Sequence, residues 1–337
     1  MARRNESEYI FADAYICSYM KDLMTKSDLI RLANCPDFDS AESLLRDFGY
    51  GESPEVRMLN VEAFIRREQT KLFQMIYNTL PERAELALYL YPYDYHNVKV
   101  CLKSEILGII PDDNLLMTSG DIDFRRMMAM VRDRSYEFMP VNMKDAVIEA
   151  LDLYSRSRDP QEIDIIMDKA CYKDMLEAAE ESKEEFLIGF VKHQIDLLNL
   201  KVFARLREMG KAWSFFRKVY LPDGNISENF YIESWEESYA QVAEKLVPYG
   251  YGLSAVMAEG GAQIKEKGSF TLYEKMLEDS LMEYNKKAKY LSFGLVPIAG
   301  YWIGKEVELD NIRIILMGML AGESPENIEE RLREPYV

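Results

Sequence analysis

Apolar side chains recur along this chain at intervals of three and four, the spacing of one face of an α-helix, and sustained alternation at interval two is almost absent. The pattern predicts an all-α protein. A helical stretch opens at Tyr9–Met24, a second helix starts near Ser27 with Asp28 in its first turn, and a third runs from about Asp39 to Gly49 and Gly51. Val56–Leu80 reads as one long helix closed by Pro81, which is placed to start a further helix reaching Tyr91. Pro92 then divides that helix from the next. Phe124–Arg132, Met143–Tyr154 and Glu162–Glu180 carry helical spacing, and Arg156–Pro160 reads as a turn. Ser182 reads as an N-cap, with Glu184 and Glu185 in the first turn of the helix behind it. Helices at Glu228–Leu246 and Phe270–Tyr290 follow, then a stretch interrupted by Gly294, Pro297 and Gly300. A last helix starts at Ser324-Pro325 and reaches about Arg333.

One helix of this series occurs three times. Asp94, Asn97, Lys99 and Gly108 make the first copy; Asp196, Asn199, Lys201 and Gly210 the second; Glu308, Asn311, Arg313 and Gly322 the third. An acid precedes each Asn by three residues, a base follows it by two, and a glycine follows it by eleven. The asparagines lie 102 and 112 residues apart (97 to 199, 199 to 311), so the chain divides into three modules of similar length, 1–110, 111–215 and 216–337. On a helical projection Val98, Leu200 and Ile312 flank the Asn on one side, and Cys101, Phe203 and Ile315 lie four residues on. Each Asn, and the acid before it, therefore points into an apolar face, while the base stands opposite. A buried Asn must have hydrogen-bond partners. Two readings follow, a repeated structural clamp or a ligand site, and three equivalent copies suit architecture better than chemistry.

Composition narrows the function. The 337 residues are 48% hydrophobic, enough for substantial cores, and the net charge of −17 opposes binding to nucleic acid or to anionic lipid. Cysteines 17, 35, 101 and 171 have neither disulfide nor zinc spacing and read as reduced, mostly buried thiols. The first residues, Met-Ala-Arg-Arg-Asn-Glu-Ser-Glu, lack the apolar core of a signal peptide, and no run approaches the ~20 apolar residues of a membrane span. A soluble, cytosolic protein is expected. Catalytic patterns are missing: His96 and His193 read as structural, and there is no Walker A sequence and no metal-ligand spacing. Gly250-Tyr-Gly252-Leu-Ser-Ala255 fits a dinucleotide fingerprint only formally, because a helical pattern precedes it where a strand is needed, so it reads as a turn between helices. No cofactor, metal or catalytic residue is expected. Tyr89, Tyr91, Tyr93 and Tyr95 read as packing aromatics.

Three segments carry a family resemblance: Tyr9–Leu45 with Leu23-Met-Thr-Lys-Ser-Asp-Leu29, the Asp94/Asn97/Lys99 helix, and Ala299-Gly-Tyr-Trp-Ile-Gly-Lys-Glu306-Val-Glu308 onward through Asn311 and Arg313 to Arg333. With them the chain resembles, over nearly its whole length, the C subunit of bacterial and archaeal V/A-type rotary ATPases, the counterpart of the d subunit in eukaryotic vacuolar enzymes. Asp13-Ala-Tyr-Ile-Cys17 departs from the more basic segment usual there. The resemblance implies three similar helical modules about a pseudo-threefold axis, forming a funnel on the cytoplasmic face of a membrane rotor ring of proteolipid subunits. Such a funnel receives the D and F subunits of the central stalk and transmits torque for ATP-coupled H⁺ or Na⁺ transport, without chemistry or a transmembrane segment of its own. Lys99, Lys201 and Arg313 are then candidate stalk contacts lining the cavity, or else part of an outer solvated face. Repeats alone also allow a cytosolic helical-repeat scaffold unrelated to any motor.

Overall fold

A computed structural model describes residues 9–51, 60–80, 87–112, 115–117, 119–291 and 293–337. Every regular element among them is a helix, as the periodicity predicts, and none is a strand. The expected helix start at Val56, and Pro81 with the residues after it, lie outside the described residues, as does the opening octapeptide.

Two compact units divide the chain. One comprises Met1–Pro81 with Glu236–Val337, the other Glu82–Trp235. The second unit holds α5 (Ala87–Leu107), α6 (Phe124–Asp133), α7 (Val141–Ser157), α8 (Gln161–Ser182), α9 (Glu185–Glu208), α10 (Trp213–Val219) and α11 (Glu228–Glu233). Its centre is α8, which packs against α5, α7 and α9 through Ile163, Met167, Cys171, Met175 and Ala179. The first unit holds α1 (Ile10–Met20), α2 (Lys26–Ala33), α3 (Phe38–Asp47) and α4 (Val61–Thr79) from one end of the chain. From the other end come α12 (Tyr239–Leu246), α13 (Leu253–Ala255), α14 (Gly261–Lys267), α15 (Thr271–Asn285), α16 (Leu295–Ala321) and α17 (Pro325–Arg331). Its centre is α16, 27 residues long, whose Leu309, Ile312, Ile315 and Leu316 share one core with Leu29 and Leu32 of α2, Leu45 of α3, Phe64 of α4 and Ile328 of α17.

Several expected boundaries move, each for a visible reason. Pro92 lies inside α5 rather than before it. A proline there removes one intrahelical bond, and the helix is held through it by burial of Leu88 and Leu90 on one side and Tyr95 and Val98 on the other. The Gly/Pro-interrupted stretch before the third Asn is helical as well. Pro297 falls in the first turn of α16, where its missing N–H would have had no partner. Gly300 and Gly304 admit Tyr336: a Cβ on Gly304 would stand 2.7 Å from that residue's Cβ, and one on Gly300 2.6 Å from its hydroxyl. Ser182 ends α8 instead of capping α9; its hydroxyl donates to the Ala179 carbonyl at 2.6 Å while Lys183 turns the chain at φ 61°. Glu228–Leu246 is two helices, because Ser238 starts the second with a capping box to Gln241. Helix α2 starts at Lys26, one residue before the expected Ser27, because Thr25 caps it, again in a capping box with Asp28. Gly250 and Gly252, at φ 75° and 69°, form the expected turn, with helix α12 where a nucleotide site needs a strand. Of the thiols, Cys101 and Cys171 are buried and Cys17 is exposed.

Candidate functional site

The repeated residues are buried and do the same thing three times. Asn97 and Asn311 are fully buried and Asn199 is 1% exposed. Each side chain forms a two-bond clamp on one backbone unit further along the chain. Asn97 Nδ2 donates to the Met117 carbonyl at 2.8 Å while its Oδ1 accepts from the Met117 N–H at 2.8 Å. Asn199 holds Leu221 at 2.8 and 2.9 Å, and Asn311 holds Arg333 at 3.1 and 2.8 Å. A side-chain amide presents a donor and an acceptor side by side, and it reproduces the pairing of a strand where no strand exists.

The acid one turn earlier fastens the next piece of backbone. Asp94 accepts from the N–H groups of Asp121 and Ile122, both at 3.1 Å; Asp123 is then the N-cap of α6. Asp196 accepts from Asn225 at 3.1 Å and Ile226 at 2.8 Å, and Ser227 caps α11. Glu308 accepts from Met24, and Thr25 caps α2. In all three copies the acid takes the N–H of the residue just before an N-cap, so the carboxylate sets the direction from which the following helix starts. The third copy finds its partner 284 residues away, at the other end of the chain.

A difference in side-chain length accompanies this. Gly120 and Gly224 sit two residues before the gripped Ile122 and Ile226, and a Cβ there would stand 2.1 and 2.4 Å from Oδ1 of Asp94 and Asp196. Only glycine lets the backbone come that close to a short carboxylate. Asp22 stands at the matching place before Met24, and there the acid is the longer glutamate. Glu308 also accepts from the Tyr50 hydroxyl and, at 2.6 Å, from the Lys305 ammonium. The sequence pattern missed the two glycines, although Gly120-Asp121 and Gly224-Asn225 stand at nearly the same distance from their acids.

The three glycines that the repeat did include end their helices identically. Gly108, Gly210 and Gly322 adopt φ 66°, 64° and 72°. The residue after each donates back five positions: Ile109 to Ser104 at 3.0 Å, Lys211 to Leu206 at 2.9 Å, and Glu323 to Gly318 at 3.0 Å. This is the Schellman end, which needs the left-handed residue that glycine supplies.

Electrostatics follow from burial. Desolvation pushes Asp94 up to about 7 and Asp196 up to about 6, and the backbone N–H groups on each carboxylate oppose the shift only in part. Of the bases, Lys99 pairs with Asp168 of α8 at 2.7 Å, and Arg313 pairs with Asp310 at 2.7 Å and Glu62 of α4 at 3.3 Å. Lys99, Lys201 and Arg313 are all half-buried. The His96 ring nitrogen lies 2.8 Å from the Leu115 carbonyl, a structural contact beside the first clamp. Among the described residues no cluster of three or more His, Cys, Asp or Glu side chains could hold a metal ion, and no helix is long and apolar enough to cross a membrane.

Residues 12–331 match the family model described as ATP synthase (C/AC39) subunit. The chain belongs to this family. It is 25% identical over 277 residues to the C subunit of the V-type sodium ATPase of Enterococcus hirae, covering 82% of each chain. The C subunit of the A-type ATP synthase of Methanocaldococcus jannaschii is 22% identical over 348 residues, covering 96% of this chain and 86% of that one. The corresponding C subunit of Haloferax volcanii is 24% identical over 261 residues, 73% of each. Membership removes the reading as a scaffold unrelated to a rotary ATPase.

Proposed function

We propose that this chain is the non-catalytic rotor subunit that joins the membrane rotor ring to the D–F central shaft of a V/A-type ATPase or ATP synthase, carrying torque for ATP-coupled ion transport. The chain would sit on the cytoplasmic side, peripheral to the membrane and attached through the complex. Its relatives' names place a C subunit in such ATPases. The observation that carries the mechanical part is the order of the clamps. The first Asn helix grips the start of the second module, the second grips that of the third, and the third grips Met24, near the start of the first. Three modules, bounded near residues 110 and 215, are in this reading closed into a ring about a pseudo-threefold axis, a funnel. An adaptor under torsion needs every joint loaded alike, and a closed circuit of equivalent joints provides that.

Ion pairs repeat the order: Lys99 of the first Asn helix reaches α8 of the second module, and Arg313 of the third reaches α4 of the first. With Lys201 they remain the proposed shaft-side cations, and Lys99 and Arg313 act through faces that also hold Asp168 and Glu62. The test is capture of a purified D–F subcomplex and of the detergent-solubilised ring by the full chain. Binding of both is expected; a folded protein that captures neither overturns the proposal. Reversing Lys99, Lys201 and Arg313 together should weaken shaft capture and spare ring capture.

A further inference from the structure

Helix α1 carries no exposed charge, and apart from its tyrosines Ser18 is the one hydroxyl beside its exposed apolar and aromatic side chains. Ala12, Ile16 and Asp13 face inward, and the exposed side carries Ile10, Phe11, Ala14 and Tyr19 without a single exposed charge before Lys21. Phe11, Tyr15 and Tyr19 form a ladder, ring centroids 5.9 and 5.1 Å apart. Beside it lies the turn between α15 and α16, fastened where the Gly294 N–H donates to the Asp13 carboxylate at 2.9 Å. That turn exposes Tyr290, Leu291 and Phe293. Phe11, Tyr290 and Phe293 are 69%, 86% and 59% exposed, and the Asp13–Gly294 bond holds their two segments together, so they are not scattered single residues.

The charge around it runs against the rest of the molecule. Residues 9–21 and 284–305 contain five lysines (21, 286, 287, 289 and 305) and one acid, the buried Asp13, in a chain of net charge −17. Lys21, Lys287 and Lys289 are exposed. Lys287 stands over the Tyr251 and Tyr284 rings at 4.3 and 4.9 Å, and Lys289 over Tyr336 at 4.8 Å, so aromatic faces hold both cations. Among the described residues Asp22 and Glu283 are the exposed carboxylates that border the two segments in sequence, and Glu334 and Glu308 pair with Lys286 and Lys305, which leaves Lys21, Lys287 and Lys289 as the lysines that set its charge. At physiological ionic strength charges beyond about 8 Å are largely screened, so this surface responds to its own lysines and not to the acidic total. The corresponding turn before the second Asn helix, Lys183-Glu184-Glu185, is exposed and wholly charged. The aromatic surface is therefore not a product of the repeat.

We infer that α1 with Tyr290, Leu291 and Phe293 forms a docking surface for an anionic lipid bilayer, the rings entering the headgroup region and Lys21, Lys287 and Lys289 meeting lipid phosphates. Tyrosine and phenylalanine with flanking lysine is the composition that favours that interface. Rings this exposed suit a deformable lipid surface and need no preformed groove in a partner. The inference goes beyond the rotor reading, and vesicles free of protein test it apart from any ring or shaft.

The full chain should co-sediment with phosphatidylglycerol-rich vesicles at low salt and much less with phosphatidylcholine vesicles. Lys287→Gln with Lys289→Gln should lower the partition roughly 25-fold, about fivefold for each lysine. Phe11→Ser, Tyr290→Ser and Phe293→Ser together should lower it at least about tenfold, with an unchanged circular dichroism spectrum. In Phe293→Trp, anionic vesicles should shift the new fluorescence to the blue. Equal binding to neutral vesicles, no binding by the parent chain, variants that bind as it does, or a tryptophan emission that does not move would each overturn the inference.

Discussion

Replacing Asn199 by leucine separates the clamp from every other role of its helix. The substitution leaves the Leu221 N–H and carbonyl facing an apolar side chain, and Leu221 itself is 8% exposed, so water reaches them poorly. Each stranded group costs about 1–3 kcal/mol. The leucine regains about 1–2 kcal/mol by burying carbons that asparagine lacks. The two groups together cost about 2–6 kcal/mol, so the net loss centres on about 2–3 kcal/mol, which for a unit the size of Glu82–Trp235 lowers the melting temperature by about 4–12 °C. Calorimetry of the parent and the variant measures it, and Asn97→Leu and Asn311→Leu should match within about 1 kcal/mol, because their clamps have the same two bonds. A melting temperature within about 1 °C of the parent, with helicity unchanged, would refute the clamp.

Gly120→Ala drives a Cβ into the Asp94 carboxylate and should cost about 1–3 kcal/mol. Adding Asp94→Ala should then cost little more, and strictly additive losses in urea unfolding would contradict the contact. Asp94 and Asp196, at about 7 and 6, lie above the ~3.9 of an unfolded aspartate, so the folded chain binds protons that the unfolded chain does not. Their contribution is full below about pH 4 and is lost as the pH rises through 6 and 7. The stability gap between the parent and Asp94→Ala should therefore narrow from about pH 5 to about pH 8; a gap that widens would show that the backbone bonds outweigh burial. Gly210→Val places a branched side chain at φ 64° and should cost at least about 1–2 kcal/mol, read from the same unfolding curves.

The triplicate itself was legible because helix burial repeats at fixed spacing: the Asn, the acid and the glycine each keep a place in an apolar arc or at its end. Their partners were not legible to the same degree. Met117, Leu221 and Arg333 offer only backbone, which carries no residue signature, and Met24 meets Glu308 across 284 residues. Pro92 and Pro297 read as breaks, because local propensity puts a proline at a helix boundary, while burial on both flanks of Pro92 and the first-turn place of Pro297 remove the penalty. Gly300 reads as an interruption and instead forms, with Gly304, the recess that Tyr336 fills. Thr25 and Ser238 carry sequence-visible capping signals, Asp28 and Gln241 three residues on, and these place the starts of α2 and α12.

The third clamp also sets an order of assembly during synthesis. The first two acids and asparagines hold backbone that follows them by no more than about thirty residues, so those joints close soon after their helices emerge. Glu308 must capture Met24, made long before, and Asn311 waits for Arg333. Until then Leu29, Leu32, Leu45 and Phe64 lack the face of α16 that completes their core. The opening segment is thus a nascent chain with exposed leucines for most of translation, the period in which chaperone binding counts most.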